Sequence, residues 1–161
     1  MFDVDGSRDI DPDRFDAEAE AHDYVTELGR LAPEDADKFI DVGVDTDEND
    51  RSGTFIVKDQ SVIHCKTRGE GVEMMALSQA RTAHDWLSDY LWRNVDPKTD
   101  AFTERARAKP QEGYFIRSLP GAKVENLLQA CLYIARERFS QNVHNIVITE
   151  EGTELHIITA C

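Results

Sequence analysis

An α+β fold, with helices and one hairpin first and strands in series afterwards, is what this sequence predicts. Three observations carry that prediction. Apolar residues recur at helical spacing in several stretches of the first hundred residues, interrupted by a hairpin pattern. The last third, from Gly113 to Cys161, holds four runs rich in β-branched and aromatic residues (113–119, 123–134, 142–149 and 154–161). Pro120-Gly121, the polar stretch 136–141 and Glu151-Gly152 divide them, as turns divide strands. Similar text also follows two of those turns: Gly121-Ala122-Lys123-Val124-Glu125 and Gly152-Thr153-Glu154-Leu155-His156, 31 positions apart (152 − 121). That spacing suits stacked repeats. The last run reaches Cys161 with no turn or polar cap after it. Because a solenoid needs a capped end, the chain is expected to be the front part of something longer.

The elements follow in order. Phe15, Ala19, His22, Val25, Leu28 and Leu31 fall close to helical spacing, which predicts an amphipathic helix over 13–31, weakened at Gly29. Pro33 opens a second, short helix carrying Phe39 and Ile40. Residues 41–51 form an acidic loop, expected to be solvated; it lacks the glycine at position six and the glutamate at twelve that a calcium loop requires. The runs 53–57 and 61–65, around Lys58-Asp59-Gln60, read as a β-hairpin, and 72–75 as a further extended piece. Ser78 has the chemistry to cap a helix running toward Val95, since its hydroxyl can satisfy an orphan N–H. Trp86, Leu87, Tyr90 and Leu91 would form that helix's apolar stripe, and Asp96-Pro97 would stop it. Residues 99–109 can form one more exposed helix.

Composition narrows the function. The chain has 161 residues, 40% of them hydrophobic, enough to build a core. No apolar run approaches the ~18–20 residues of a membrane span. The acidic start MFDVDGSRDIDPD is neither a secretory signal nor a transit peptide, so a cytoplasmic location is expected. The net charge of −14 repels phosphate backbones and anionic membrane surfaces, which argues against both as main partners. Its 18 basic residues are mostly arginine. Such a composition points to a salt-rich cytoplasm, where ionic strength screens self-repulsion; an ordinary acidic cytosolic protein is the plainer reading.

Chemistry-bearing residues are sparse. Cys65, Cys131 and Cys161 form no Cys-x-x-Cys pair and are odd in number, against both a disulfide framework and a zinc finger. A strand over 155–161 places Leu155, Ile157, Thr159 and Cys161 on one face and His156, Ile158 and Ala160 on the other. The first face is the interior one, where a cysteine can be simply a small inert packing residue. Cys131 invites the same reading. His64 and Cys65 are adjacent and point to opposite faces, so they do not form a thiol–imidazole pair. His144 and His156 lack the spacing that aims two imidazoles at one metal. Trp86 and Trp92 read as packing, and Glu150-Glu151 as a solvated turn. No phosphate-cradling glycine loop or Ser/His/Asp signature appears, so no enzyme is visible from the residues.

Four segments nevertheless resemble one family. RSGTFIVKDQSVIHC (51–65), GVEMMALSQA (71–80), GYFIRSLPGAKVE (113–125) and QNVHNIVITEEGTELHIITAC (141–161) are similar to the SufB/SufD proteins, scaffolds of the SUF iron–sulfur cluster assembly system, most of all to the archaeal type. The resemblance implies a helical N-terminal region over 1–112, with its hairpin near 53–65. It further implies that 113–161 are the first turns of a right-handed parallel β-helix. Implied partners are a SufC-type ABC ATPase, a second SufB/SufD-type subunit, and a cysteine desulfurase or sulfur carrier. The iron–sulfur cluster would be transient cargo of the full complex. One functional position carries over: Cys161 matches the SufB-type cysteine proposed to accept sulfur inside the β-helix, with Ala160 replacing the usual glycine. The family's other cluster-bearing positions and its ATPase-binding region fall outside these residues. Two rivals stay open: a non-catalytic β-solenoid subunit of SufD-like character, and a metal-binding β-domain using His144 and His156.

Overall fold

The computed structural model describes residues 10–160. It is an α+β structure of three helices and seven strands: α1 (Pro33–Asp41), β1 (Arg51–Lys58), β2 (Ser61–Thr67), β3 (Val72–Ala76), α2 (Leu77–Ala83), α3 (Ala101–Ala108), β4 (Tyr114–Ser118), β5 (Leu127–Tyr133), β6 (Ile146–Thr149) and β7 (Ile157–Ala160). The strands form two sheets, one ordered β2-β1-β5-β7 and the other β3-β4-β6. At one end the pairings are antiparallel, β1 with β2 and β3 with β4. All others, β1 with β5, β5 with β7 and β4 with β6, are parallel.

From β4 onward the chain alternates between the sheets, and each strand lies beside its counterpart one circuit earlier. Phe115 pairs Ile146 across β4 and β6, 31 positions on (146 − 115). The corners stack with them, Lys123 bridging Glu154 and Gly121 donating its N–H to the Glu151 carbonyl at 3.2 Å. Gly121 and Gly152 hold nearly the same left-handed backbone, φ +74° and +73°, a conformation glycine adopts without a Cβ penalty. The textual repeat is therefore a repeat in space.

Alternation along the strands sorts the core into three layers. Between the sheets lie Phe55, Val57, Leu128 and Ala130 from one and Val72, Met74, Ala76, Tyr114 and Ile116 from the other. On the outer face of the larger sheet, Ile56, Ile63 and Cys131 pack with Leu28, Phe39 and Val44, so α1 covers them. Its position is fixed by Lys58, whose Nζ donates to both oxygens of Asp35 at 2.7 and 2.8 Å. Outside the smaller sheet, Phe115 and Ile146 pack under Leu77, Ala80 and Leu87.

Two helices expected from sequence are not formed as such. Over 13–31 the structure has only 3-10 turns at Pro12–Arg14 and Leu28–Arg30, with an extended strap between them. The strap takes its hydrogen bonds from the hairpin: Ala19 exchanges two with the Gln60 amide, and Val25 N–H donates to the Ile63 carbonyl. Its sequence disfavours a helix, because Asp16/Glu20 and Asp23/Glu27 would be like charges four residues apart. Of the apolar positions in its pattern only Leu28 is buried. The second helix stops at Ala83, since His84 is extended (φ −132°, ψ 97°), and a 3-10 turn follows over Asp85–Asp89. Its N-cap position is Ala76, not Ser78. Turning the chain at His84 seats Leu87 at 0% exposure and stacks His84 against Phe115 and Trp86.

Candidate functional site

β7 runs beside the space between the two sheets. Leu155 and Ile157 pack against the inter-sheet core, whereas Ala160 packs with the outer cluster around Cys131. Leu155 and Ile157 thus lie on the face predicted to be interior and Ala160 on the other, whereas Thr159, predicted on the interior face, is exposed. Cys161 itself lies outside the described residues.

The other two thiols are placed differently. Cys65, on β2, faces the inter-sheet core, with its Sγ 3.6 Å from the Met74 carbonyl. Burial pushes its thiol up to about 11, so at pH 7 only about one molecule in ten thousand would carry the nucleophilic thiolate. Cys131 is 1% exposed on the opposite face of the sheet, under α1. His144 lies against Trp92 with ring centroids 4.4 Å apart, and desolvation holds its pKa below the ordinary imidazole value. His156 is exposed and contacts Glu154 at 3.3 Å. Among the described residues no group of three or more His, Cys, Asp or Glu side chains is placed to hold a metal ion. No helix among them is long and apolar enough to cross a membrane.

Two buried carboxylates missed by the sequence reading hold the hairpin end of the site together. The loop taken as solvated turns Glu48 inward: it is 2% exposed and meets His64 Nε2 at 3.2 Å and Arg68 Nη2 at 3.1 Å. The other nitrogen of His64 meets the Val25 carbonyl at 2.9 Å, tying the strap to the same point. Asp59, in the β1–β2 turn with φ +52°, accepts from the N–H groups of Ala135 and Arg136 and contacts His22 Nε2 at 2.8 Å. One carboxylate thereby joins the strap, the hairpin and the exit of β5.

Asp59 also gives the fold an acid sensitivity. Burial raises its pKa, but the Arg136 N–H, His22 and the Ala135 N–H together pull it below the ordinary aspartate value. A carboxyl whose folded pKa is depressed stabilises the protein above its unfolded value, near 3.9, and that stabilisation disappears as pH falls through the folded value. Urea midpoints of the parent and of Asp59→Asn should therefore differ most above the unfolded value and converge as the pH falls through the depressed folded one. A gap that stays constant with pH would show that the carboxylate charge contributes nothing.

Comparison with known proteins places these features in a family. No family model matches the chain. An archaeal protein of Methanothermobacter thermautotrophicus (strain Delta H), named "Iron-sulfur cluster assembly SufBD family protein", is 44% identical over 158 residues, 95% of this chain. The chain belongs to the SufBD family. A homologue from the Winter strain is 41% identical over 158 residues, and an Archaeoglobus fulgidus protein of the same family name is 45% identical over 135. The resemblance stated from the four segments is borne out, archaeal relatives included. The chain spans 38% of the length of the two Methanothermobacter SufBD proteins and 36% of the Archaeoglobus one.

Proposed function

We propose that this chain acts in iron–sulfur cluster assembly as a scaffold subunit that accepts sulfur on Cys161 and does not itself turn over a small substrate. The paired sheets would be the first turns of a right-handed parallel β-helix, with the antiparallel strands β2 and β3 closing one end. The observation that carries the reading is the packing of the final segment, Leu155 just before β7 and Ile157 within it inward and Ala160 outward. The period of two in the sequence, which sets Cys161 with Leu155 and Ile157, supports the reading. The iron–sulfur cluster assembly family to which the archaeal relatives are assigned supports the assembly role. A cysteine desulfurase or sulfur carrier would supply the sulfur in the cytoplasm. A SufC-type ABC ATPase and a second SufB/SufD-type subunit would complete the assembly, with the cluster as its cargo.

The transfer step balances without an added redox partner. The Cys161 thiolate attacks the terminal sulfur of a donor persulfide, a new S–S bond forms as the donor's breaks, and the donor thiolate leaves. Persulfide should therefore concentrate on Cys161, while Cys131 stays unlabelled because it is buried and Cys65 because it is half-buried and held as the neutral thiol. The test is anaerobic incubation of the folded chain with a cysteine desulfurase and cysteine, followed by mass-spectrometric mapping of all three thiols in the parent and in Cys161→Ser. Equal labelling of the three, or none on a folded protein, would reject the acceptor role and leave a structural, SufD-like subunit.

A further inference from the structure

A cavity lies away from the thiols, on the outside of the smaller sheet. It has a volume of about 950 Å³ and is walled by α2, the end of α3 and the segments carrying Asp16 and Arg136. Its charge runs against that of the chain. Arg81, Arg107 and Lys109 line it, and among the described residues none of them has a carboxylate partner. Of the acids that line it, Asp16 is engaged by Arg136 at 2.9 Å, which leaves Glu18 and Glu112, the latter accepting from the Ser78 N–H. Three cations without carboxylate partners facing two carboxylates leave a locally positive wall on a protein of net charge −14.

A second space of about 510 Å³ adjoins it, sharing Trp92 and His144 as a common wall. Here the lining turns apolar: Val95, Phe102 and Val147 reach it and are 49%, 39% and 45% exposed. Two observations mark this wall as more than surface relief. Trp92 adopts φ +58°, a left-handed conformation that costs a non-glycine residue about 1–3 kcal/mol and is concentrated at ligand sites. Asn142, 7% exposed in the same wall, has an amide nitrogen with no hydrogen-bond partner. Reversing its amide would only exchange which atom is orphaned, because Ser140 satisfies one of the two.

We propose that these adjacent spaces bind an amphipathic organic anion, a phosphate- or carboxylate-bearing head against Arg81, Arg107 and Lys109 and an apolar tail passing Trp92 to lie along Phe102 and Val147. The volumes are those of small-molecule sites, with charged groups lining the first space and exposed apolar side chains among the lining of the second. Trp92 stands where head and tail would meet, so its ring reports occupancy. The site is independent of sulfur acceptance at Cys161.

The test uses the whole chain carrying Trp86→Phe, which leaves Trp92 as the sole tryptophan. Octyl phosphate below its micelle concentration is titrated, read by Trp92 fluorescence and by calorimetry, alongside inorganic phosphate and octyl glucoside. Octyl phosphate should bind at least about tenfold more tightly than either, since it alone engages both spaces. Arg107→Glu combined with Lys109→Glu should weaken it at least about tenfold and lower its salt dependence, while Val147→Asp weakens octyl phosphate but not inorganic phosphate. Circular dichroism checks each variant, and Arg81→Glu, on a different helix, replaces any that fails to fold. Equal affinity for the three probes, or no effect of the charge reversals, overturns the proposal. So does binding only to phosphatidylglycerol vesicles without binding of monomeric octyl phosphate, which would indicate attraction to a charged surface.

Discussion

The Gly113→Ala protein is expected to be destabilised by at least about 3 kcal/mol, enough to leave much of a marginal domain unfolded. A Cβ on Gly113 would stand 2.0 Å from the carbonyl oxygen of His144 and 2.6 Å from Oδ1 of Asn145. Neither neighbour can give way cheaply. The first is backbone, fixed by the Gln111–Val143 bridge before it and the β4–β6 pairing after it. The second is the acceptor for the Tyr114 N–H at 3.0 Å. Glycine is required here because one coil's backbone lies directly on the next. Gly29→Ala is the control: nothing lies within 4 Å of its Cβ position and no left-handed φ is involved, so its stability should stay within about 0.5 kcal/mol of the parent. Urea unfolding of both would decide the matter. A Gly113→Ala protein as stable as the Gly29→Ala one would mean that the two segments do not stack this closely.

Glu48→Ala should cost about 3 kcal/mol, toward the lower end of the range for breaking a buried ion pair. His64 is 0% exposed and loses its Nε2 partner, a penalty that water cannot relieve. Arg68 is 35% exposed at its side chain and can find water instead, which keeps the loss at that end. The strap responds as well, because His64 also holds the Val25 carbonyl. Combining Glu48→Ala with His64→Phe removes both polar partners and should recover part of the loss, whereas simple additivity would argue that the two side chains are not coupled. Thermal or urea denaturation of the four proteins in this cycle provides the measurement.

The elements legible in the sequence are those held by local rules. The β1–β2 hairpin, β3, α1, α3 and the strand runs of the last third sit within a few residues of where alternation, proline and turn signals place them. The α+β class followed from their order. The strap was misread because its hydrogen bonds come from Gln60, Ser61 and Ile63, about forty residues away, and a helical apolar spacing does not reveal that competitor. The charge pairs Asp16/Glu20 and Asp23/Glu27 were the available signal against a helix. Glu48 looked like one acid among many in a solvated loop, since its partners His64 and Arg68 stand on the far side of the hairpin. The faces taken by Leu155, Ile157 and Ala160 were readable from a period of two. The cavity beside Trp92 was not, because it is assembled from segments far apart in the chain.

The arrangement of the sheets also sets an order of events during folding. The antiparallel pair β1–β2 closes over a turn at Asp59 and Gln60, but docking β5 on β1 joins Phe55 to Ala130 and must enclose β3, β4 and the helices between them. Adding β7 to β5 joins Leu128 to Ile157, a much shorter loop, and loop-closure entropy makes that step cheaper by about 0.8 kcal/mol. The first circuit is therefore the nucleus and each later one an elongation step on a finished template, the cooperative logic of a helix–coil transition transferred to stacked strands.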